Sequence, residues 1–299
     1  MIGLTVVALG TSTPELFVSL LSTLQGGDDL AVSNVVGSNI FNVLVVLGAS
    51  ALVVPLRVRS RLVRRDVPLL LGTVINLIWE VRTASEESDA VLPEEEGEDQ
   101  GRSTTPVAVA KLALGLVLLV VGSQLLVKGA TAVALTLGVS QTVIGLTIVA
   151  AGTSMPELVT SLVSAYRGKA DLAIGNVVGS NLLNQLVILG LCATVSGSRG
   201  LAVDPVMVSR DLPIMVVTTL ACLPIFWTGG VISRAEGFLL VALYGFYLAE
   251  QILLASMPTL VDEYRLLVLV GVLPAVLVFL AWGVLRWRRQ RSLSTSSVT

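Results

Sequence analysis

One stretch of the chain occurs twice, and both copies lie in apolar parts of the sequence. When the sequence is shifted by 142 residues, Gly3–Gly48 aligns with Gly145–Gly190 without a gap, and about 29 of the 46 aligned positions are identical. "GTSTPE" at 10–15 returns as "GTSMPE" at 152–157, and "SNVVGSNIFN" at 33–42 returns as "GNVVGSNLLN" at 175–184. Hydrophobicity alone does not reproduce such polar identities. The repeat therefore predicts two copies of one structural unit.

The composition indicates that both copies lie in a membrane. Of 299 residues, 54% are hydrophobic and 13% are charged, whereas a soluble domain has about 25% charged residues. Mean hydropathy is +0.87, and the apolar runs approach the roughly 20 residues that one membrane helix needs. We therefore expect an all-α, polytopic membrane protein with about 8–9 transmembrane helices.

Several functional classes are disfavoured by what the chain contains. It has no histidine, which excludes His-based proton relays, His-ligated metals and Ser-His-Asp catalysis, so we expect no enzymatic activity. Cys192 and Cys222 lie in apolar stretches without metal-ligand spacing, as is typical of buried thiols. The arginine clusters are explained by membrane topology, so we expect no nucleic-acid binding. The expected partners are the lipid bilayer and small ions.

Charge at the turns predicts that the two copies face opposite ways. The turn at 25–29 carries two aspartates, whereas the turn at 167–171 carries Arg167 and Lys169. Positive residues favour the cytoplasmic side. Five arginines at 57–65 follow the first copy, whereas Arg199 and Arg210, balanced by Asp204 and Asp211, follow the second. We therefore expect an inverted-topology repeat, which in secondary transporters places the substrate site between the halves near the midplane.

Each copy contains a proline and a carboxylate within an apolar segment. Glycine and proline predict a helix that breaks around residues 8–14 and restarts near Glu15. Such a break frees carbonyls, including those of Ala8 and Ala150, and a bound cation could satisfy them. A simple helix start capped by Thr13 is the structural alternative. It leaves Glu15 and Glu157 inside the bilayer unexplained, so we interpret both carboxylates as cation ligands.

Neutral oxygens follow in the second half of each copy. Asn34, Ser38 and Asn42 recur every four residues on one helix stripe, as do Asn176, Ser180 and Asn184. Hydrogen bonding between helices is the alternative role, and we prefer it for Asn39 and Asn181. Oxygen-only ligand sets suit hard cations such as calcium, and sodium could use the same oxygens.

These paired motifs resemble the two α-repeats of the cation/calcium exchanger superfamily, and the chain is similar to the prokaryotic sodium/calcium exchangers. The resemblance implies ten helices in two inverted halves and exchange of calcium for sodium, for potassium plus sodium, or for protons. It implies no cofactor beyond the transported calcium and sodium ions. Some relatives have aspartate where Asn184 stands. By motif position, the implied ion ligands are Glu15, Glu157, Thr11, Ser12, Thr153, Ser154, Ser38, Asn42, Ser180, Asn184, and the carbonyls of Ala8 and Ala150.

The chain departs from the family pattern in its first half. Residues 1–82 form the first half without the family's first helix, and 83–106 form an acidic linker that we expect to be disordered. Residues 107–257 form the second half, 263–287 an extra transmembrane helix and 286–299 a basic tail, which predicts a cytoplasmic C-terminus in a prokaryotic plasma (inner) membrane. A calcium/sodium antiporter is the favoured function. Proton- or potassium-dependent exchange, and a truncated non-transporting paralogue that acts as a binding protein, stay open, as does the oligomeric state.

Overall fold

The fold is taken from a computed structural model, which describes residues 8–58, 72, 106–139, 141–227 and 230–296. The predicted linker at 83–106 lies outside these residues except for its last position, so it stays a prediction. The described residues are almost entirely helical, as the composition predicts.

The first copy forms two helices joined by a tight turn. Residues 8–11 are helical, the chain breaks at Ser12, and α1 begins at Thr13, two residues earlier than expected. Pro14 lies in the first turn of α1, where a helix needs no backbone donor. Thr13 does not cap this helix, because its hydroxyl donates to the Leu9 carbonyl at 2.9 Å. The elements are α1 (Thr13–Leu24), α2 (Asp28–Val53) with a π-helical stretch at Asn42–Leu47, and β1 (Leu56–Arg57).

The second copy repeats this arrangement after a long helix. The helices on either side of its break, Gly145–Thr153 and Met155–Tyr166, are bent by 50° relative to each other at Ser154. A π-helical stretch again begins at the last asparagine of the motif, Asn184. The elements are α3 (Pro106–Thr136), α4 (Gln141–Ile144, Gly145–Val149 and Ala150–Thr153), α5 (Met155–Tyr166) and α6 (Ala170–Arg199).

The remaining elements complete the bundle. A capping box between Ser233 and Glu236 caps the N-terminus of the helix Arg234–Ser256. The two strands pair antiparallel, with Leu56 opposite Ile232. The elements are α7 (Pro205–Ser209), α8 (Asp211–Trp227), β2 (Val231–Ile232), α9 (Arg234–Ser256) and α10 (Val261–Leu267, Val268–Val272 and Leu273–Ser296).

Several helices are long and apolar enough to cross a membrane. Within the described residues five qualify, or six if the bent pair α4–α5 is one span. This confirms a helical protein with several apolar helices. The expected total of about 8–9 stays a prediction, because only the described residues enter this count.

Helix α2 forms the centre of the bundle and needs small residues where other helices cross it. A Cβ atom at Gly37 would lie 2.6 Å from the Leu146 carbonyl oxygen of α4. A Cβ atom at Gly237 of α9 would lie 2.7 Å from the Gly48 carbonyl oxygen. The contact at Gly179 is looser, at 3.3 Å from the Ala8 Cβ. The close approach of α4 to α2 brings the polar faces of the two copies together.

Candidate functional site

The two glutamates of the repeated motif are buried and each accepts a hydrogen bond from the opposite copy. Ser12 Oγ donates to Glu157 Oε1 at 2.9 Å, and Ser154 Oγ donates to Glu15 Oε1 at 2.8 Å. Both carboxylates are fully buried. Each serine occupies the break three residues before the glutamate of its own copy, yet neither caps its own helix through its side chain. The two breaks therefore face each other.

The asparagines at 34 and 176 connect the breaks to the helices that follow. Asn34 Nδ2 donates to Ser19 Oγ at 3.0 Å, and its Oδ1 accepts from Thr153 Oγ1 at 3.2 Å. The second copy repeats both contacts. Asn176 Nδ2 donates to Ser161 Oγ at 3.1 Å, and Asn176 Oδ1 accepts from Thr11 Oγ1 at 3.3 Å. Replacing each residue of a contact by the equivalent residue of the other copy, 142 positions away, gives the matching contact.

A third reciprocal pair lies at the motif's C-terminal end. Asn42 Nδ2 donates to Asn181 Oδ1 at 3.0 Å, and Asn184 Nδ2 donates to Asn39 Oδ1 at 3.1 Å. The predicted role of Asn39 and Asn181 in hydrogen bonding between helices is confirmed by these contacts. They also orient the side chains of Asn42 and Asn184, because each amide nitrogen is directed at its acceptor and each amide oxygen away from it.

Four buried oxygens at this site accept no hydrogen bond from any residue that the structure describes. They are Glu15 Oε2, Glu157 Oε2, Asn42 Oδ1 and Asn184 Oδ1, and they form two pairs related by the 142-residue offset. Buried polar groups almost always have a partner, and a buried carboxylate without one is costly. Two carboxylate and two amide oxygens are the ligands that a hard cation prefers. The arrangement can therefore hold a cation between the two copies.

The two serines of the C-terminal motifs occupy different environments. Ser180 Oγ donates to Glu157 Oε1 at 3.1 Å, whereas Ser38 Oγ donates to the Ala150 carbonyl at 3.4 Å. Glu157 Oε1 consequently accepts from two serines and Glu15 Oε1 from one. The site is thus symmetric in its residues but not in every contact.

The expectation that the helix breaks free the carbonyls of Ala8 and Ala150 is wrong. The Ala8 carbonyl accepts from the Ser12 backbone N–H at 2.9 Å and from Thr11 Oγ1 at 3.2 Å. The Ala150 carbonyl accepts from the Ser154 N–H at 3.1 Å. A tight turn at each break preserves the helical bond between residues four apart, so the chain bends without leaving these groups unpaired.

Sequence reasoning missed a second buried polar cluster, centred on Asp211. This residue was interpreted as a loop charge, yet it is fully buried at the start of α8. Arg210 pairs with its carboxylate at 2.7 Å, and Tyr247 and Gln251 of α9 donate to it at 3.1 and 3.0 Å. The sequence feature that could have indicated this cluster is Gln251, a polar amide within an otherwise apolar helix. The cluster joins α8 to α9.

Comparisons with known proteins identify the family of this chain. Residues 1–84 and 107–253 match the family described as "Sodium/calcium exchanger protein". The "Putative antiporter CaxA" of Alkalimonas amylolytica is 38% identical over 276 residues, covering 82% of this chain and 86% of that protein. The "Sodium/calcium exchanger MaX1" of Methanosarcina acetivorans is 29% identical over 303 residues, covering 81% and 86%.

A solved structure shares the fold as well as the sequence pattern. The sodium-calcium exchanger NCX_Mj superimposes with a TM-score of 0.61 at 30% identity, covering 86% of each chain. The relatives described above are named as an antiporter and as exchangers, and several helices of this chain are long and apolar enough to cross a membrane. The chain therefore belongs to the sodium/calcium exchanger family and is an integral membrane protein of the exchanger type.

Proposed function

We propose that this protein is an antiporter that exchanges calcium for sodium across a membrane by alternating access. One observation carries the proposal. Each repeat contributes one buried carboxylate; one of its oxygens accepts a hydrogen bond from a serine of the opposite repeat, and its other oxygen has no donor among the described residues. A cation between the repeats would neutralise both charges and supply the missing partners.

The cation ligands divide into a central pair and a surrounding shell. The central ligands are Glu15 and Glu157, and the amide oxygens of Asn42 and Asn184 complete them. Hydroxyl groups of the breaks and stripes supply neutral oxygens once they turn from their present acceptors. The proposed shell consists of Thr11, Ser12, Thr153, Ser154, Ser38 and Ser180. The carbonyls of Ala8 and Ala150 would be further ligands only after the hydroxyls that donate to them turn away, because their backbone hydrogen bonds stay in place.

The reciprocal contacts support alternating access between two inverted halves. Although the contacts of Ser38 and Ser180 differ, the reciprocal contacts have counterparts with the roles of the copies exchanged, so the two copies can exchange conformations while the site keeps its composition. In inverted repeats such an exchange converts a site open to one side into a site open to the other. An ion-free site has two uncompensated buried charges, which disfavours the switch without cargo. We place the protein in a prokaryotic plasma (inner) membrane with a cytoplasmic C-terminus.

Transport by purified protein in proteoliposomes tests this function. A sodium gradient should drive uptake of radioactive calcium by the native chain, and Glu157→Gln should abolish uptake because it removes one of the two charges. Glu263→Gln, on the exposed face of α10, is the matched control and should transport normally.

Two other outcomes would redirect or overturn the proposal. Uptake driven by a proton or potassium gradient, with no sodium requirement, would replace sodium as the coupling ion. Calcium binding by folded protein without flux under any of the three gradients would identify a binding protein instead of an exchanger.

A further inference from the structure

We propose that a cleft between the ends of α9 and α10 binds the headgroup of an anionic phospholipid. The cleft has a volume of about 300 Å³ and lies where the N-terminus of α9 meets the C-terminal part of α10. The long apolar span of α9 begins at Arg234, and that of α10 ends at Arg286. The cleft therefore opens at one edge of the membrane, at the depth where lipid headgroups lie.

The residues of α10 that line the cleft follow the order of the parts of a phospholipid. Along the helix they are Phe279, Leu280, Trp282, Gly283 and Arg286. They recur at spacings of three and four residues, so they share one face of the helix. From membrane to water this face is apolar, then aromatic, then cationic. It therefore matches acyl chain, interfacial region and phosphate in turn.

The cationic end of the cleft supplies positive groups that suit a phosphate. The Arg286 guanidinium carbon lies 5.4 Å from the centre of the Trp282 ring, a cation–π contact that keeps the charge beside the cleft. A guanidinium can donate to two phosphate oxygens at once. The first turn of α9 forms the opposite wall, and its backbone N–H groups and helix dipole also favour an anion.

Glu236 lines the cleft as well, but its carboxylate is engaged within the capping box of α9. Glu236 Oε2 accepts from the Ser233 backbone N–H at 2.7 Å and from Ser233 Oγ at 2.8 Å. Beyond the cleft the sequence adds three more arginines, at 288, 289 and 291, and residues 264–299 contain no aspartate or glutamate. The net charge of this end is therefore positive, which favours an anionic over a zwitterionic headgroup.

The cleft is separate from the cation site and offers a direct way to block it. The family match ends at residue 253, so α10 lies outside the matched part of the chain. A Cβ atom at Gly283 would have no neighbour within 4 Å. A larger side chain at this position can therefore enter the cleft without moving the backbone.

Native mass spectrometry of the full chain in detergent tests the site by counting bound lipids. The probe is dioctanoyl phosphatidylglycerol, and the comparisons are dioctanoyl phosphatidylethanolamine and inorganic phosphate. We expect the first phosphatidylglycerol to bind with a Kd about tenfold lower than that of phosphatidylethanolamine, and inorganic phosphate not to displace it. Arg286→Gln should raise this Kd about tenfold, because it removes a charged hydrogen-bond donor to the phosphate.

Matched variants separate the cleft from general attraction by the basic tail. Arg291→Gln removes the same charge outside the cleft and should change the Kd by less than about twofold. Gly283→Leu fills the cleft without changing charge and should raise the Kd about tenfold, whereas Gly271→Leu, at an equally open position of α10, should not. Calcium affinity by calorimetry should stay unchanged in all four variants, which checks that they fold.

Several results would overturn the lipid site. Equal losses in Arg286→Gln and Arg291→Gln would show diffuse attraction by the tail, and undiminished binding by Gly283→Leu would show that the cleft is not used. Displacement by inorganic phosphate, or equal affinity for the two lipids, would contradict an anionic phospholipid as the ligand. None of these results bears on calcium exchange, which is proposed from other residues.

Discussion

At the scale of single residues, the hydroxyl groups at the two breaks act on the opposite repeat. A serine at a helix start commonly caps its own helix, but Ser12 and Ser154 donate to the carboxylates of the other copy instead. Pro14 and Pro156 each stand in the first turn of the helix that follows the break. The hydroxyls are therefore free to stabilise two buried charges.

Removing these hydroxyls one at a time should have unequal effects. Ser154→Ala removes the serine that donates to Glu15, whereas Ser12→Ala leaves Glu157 with Ser180. A hydrogen bond to a charged group contributes about 1.5–3 kcal/mol. Ser154→Ala should therefore lower the melting temperature of ion-free protein more than Ser12→Ala, and saturating calcium should narrow the difference. Equal losses in both variants would contradict this assignment.

At the scale of the elements, the site depends on how closely α2 approaches its neighbours. Backbone contacts at Gly37 and at the Gly48–Gly237 crossing leave no room for a side chain. Small residues let membrane helices pack at short distance, and the packing itself drives their association. The asparagines of α2 reach the second copy because of this short distance.

A methyl group at the tightest crossing should therefore be costly. In Gly37→Ala the new Cβ would lie 2.6 Å from the Leu146 carbonyl oxygen and 2.7 Å from the Ala150 Cβ. Both neighbours belong to α4, whose backbone must move, and overpacking of this kind costs about 1–3 kcal/mol. We expect a lower melting temperature and weaker calcium binding by calorimetry. Gly122→Ala on α3, where nothing lies within 4 Å, is the control; a normal Gly37→Ala protein would show that α4 can retreat without cost.

At the scale of the whole molecule, the two copies of the repeat supply all the described residues of the site, and α10 supplies none. These residues all lie within α1, α2, α4, α5, α6 and the helical segment 8–11, or at the breaks Ser12 and Ser154. Helix α10 exposes most of its surface and lies beyond residue 253, where the family match ends. It contacts α9 through Tyr264, which donates to the Phe246 carbonyl at 2.7 Å, and through the Arg265–Glu250 ion pair at 2.8 Å.

Removal of α10 should accordingly spare the site. A chain that ends after Met257 loses these surface contacts, and exposed ion pairs contribute about 0–1 kcal/mol. We expect calcium affinity within about twofold of the full chain, with a modest fall in melting temperature. Calorimetry on both proteins measures this, and loss of calcium binding from a folded truncated chain would show that α10 supports the exchanger core.

Much of the architecture could be predicted from the sequence because it depends on local patterns. Apolar length predicts membrane helices, glycine and proline predict the breaks, and the 142-residue repeat predicts two equivalent units. The same repeat identified Glu15 and Glu157, since an ionisable group in a membrane helix needs a functional reason. The stripe of Asn34, Ser38 and Asn42 followed from helical spacing alone.

The sequence by itself therefore determined the class of protein, the repeat and the ionisable residues of the site. Only the tertiary structure decided that Ser12 donates to Glu157, that Ser154 donates to Glu15 and that Asp211 is buried. The physical reason is the range of the interactions. Helical periodicity acts over a few residues, whereas these partners lie 145 or 139 positions apart, or on different helices, and they meet only through packing at small residues on α2.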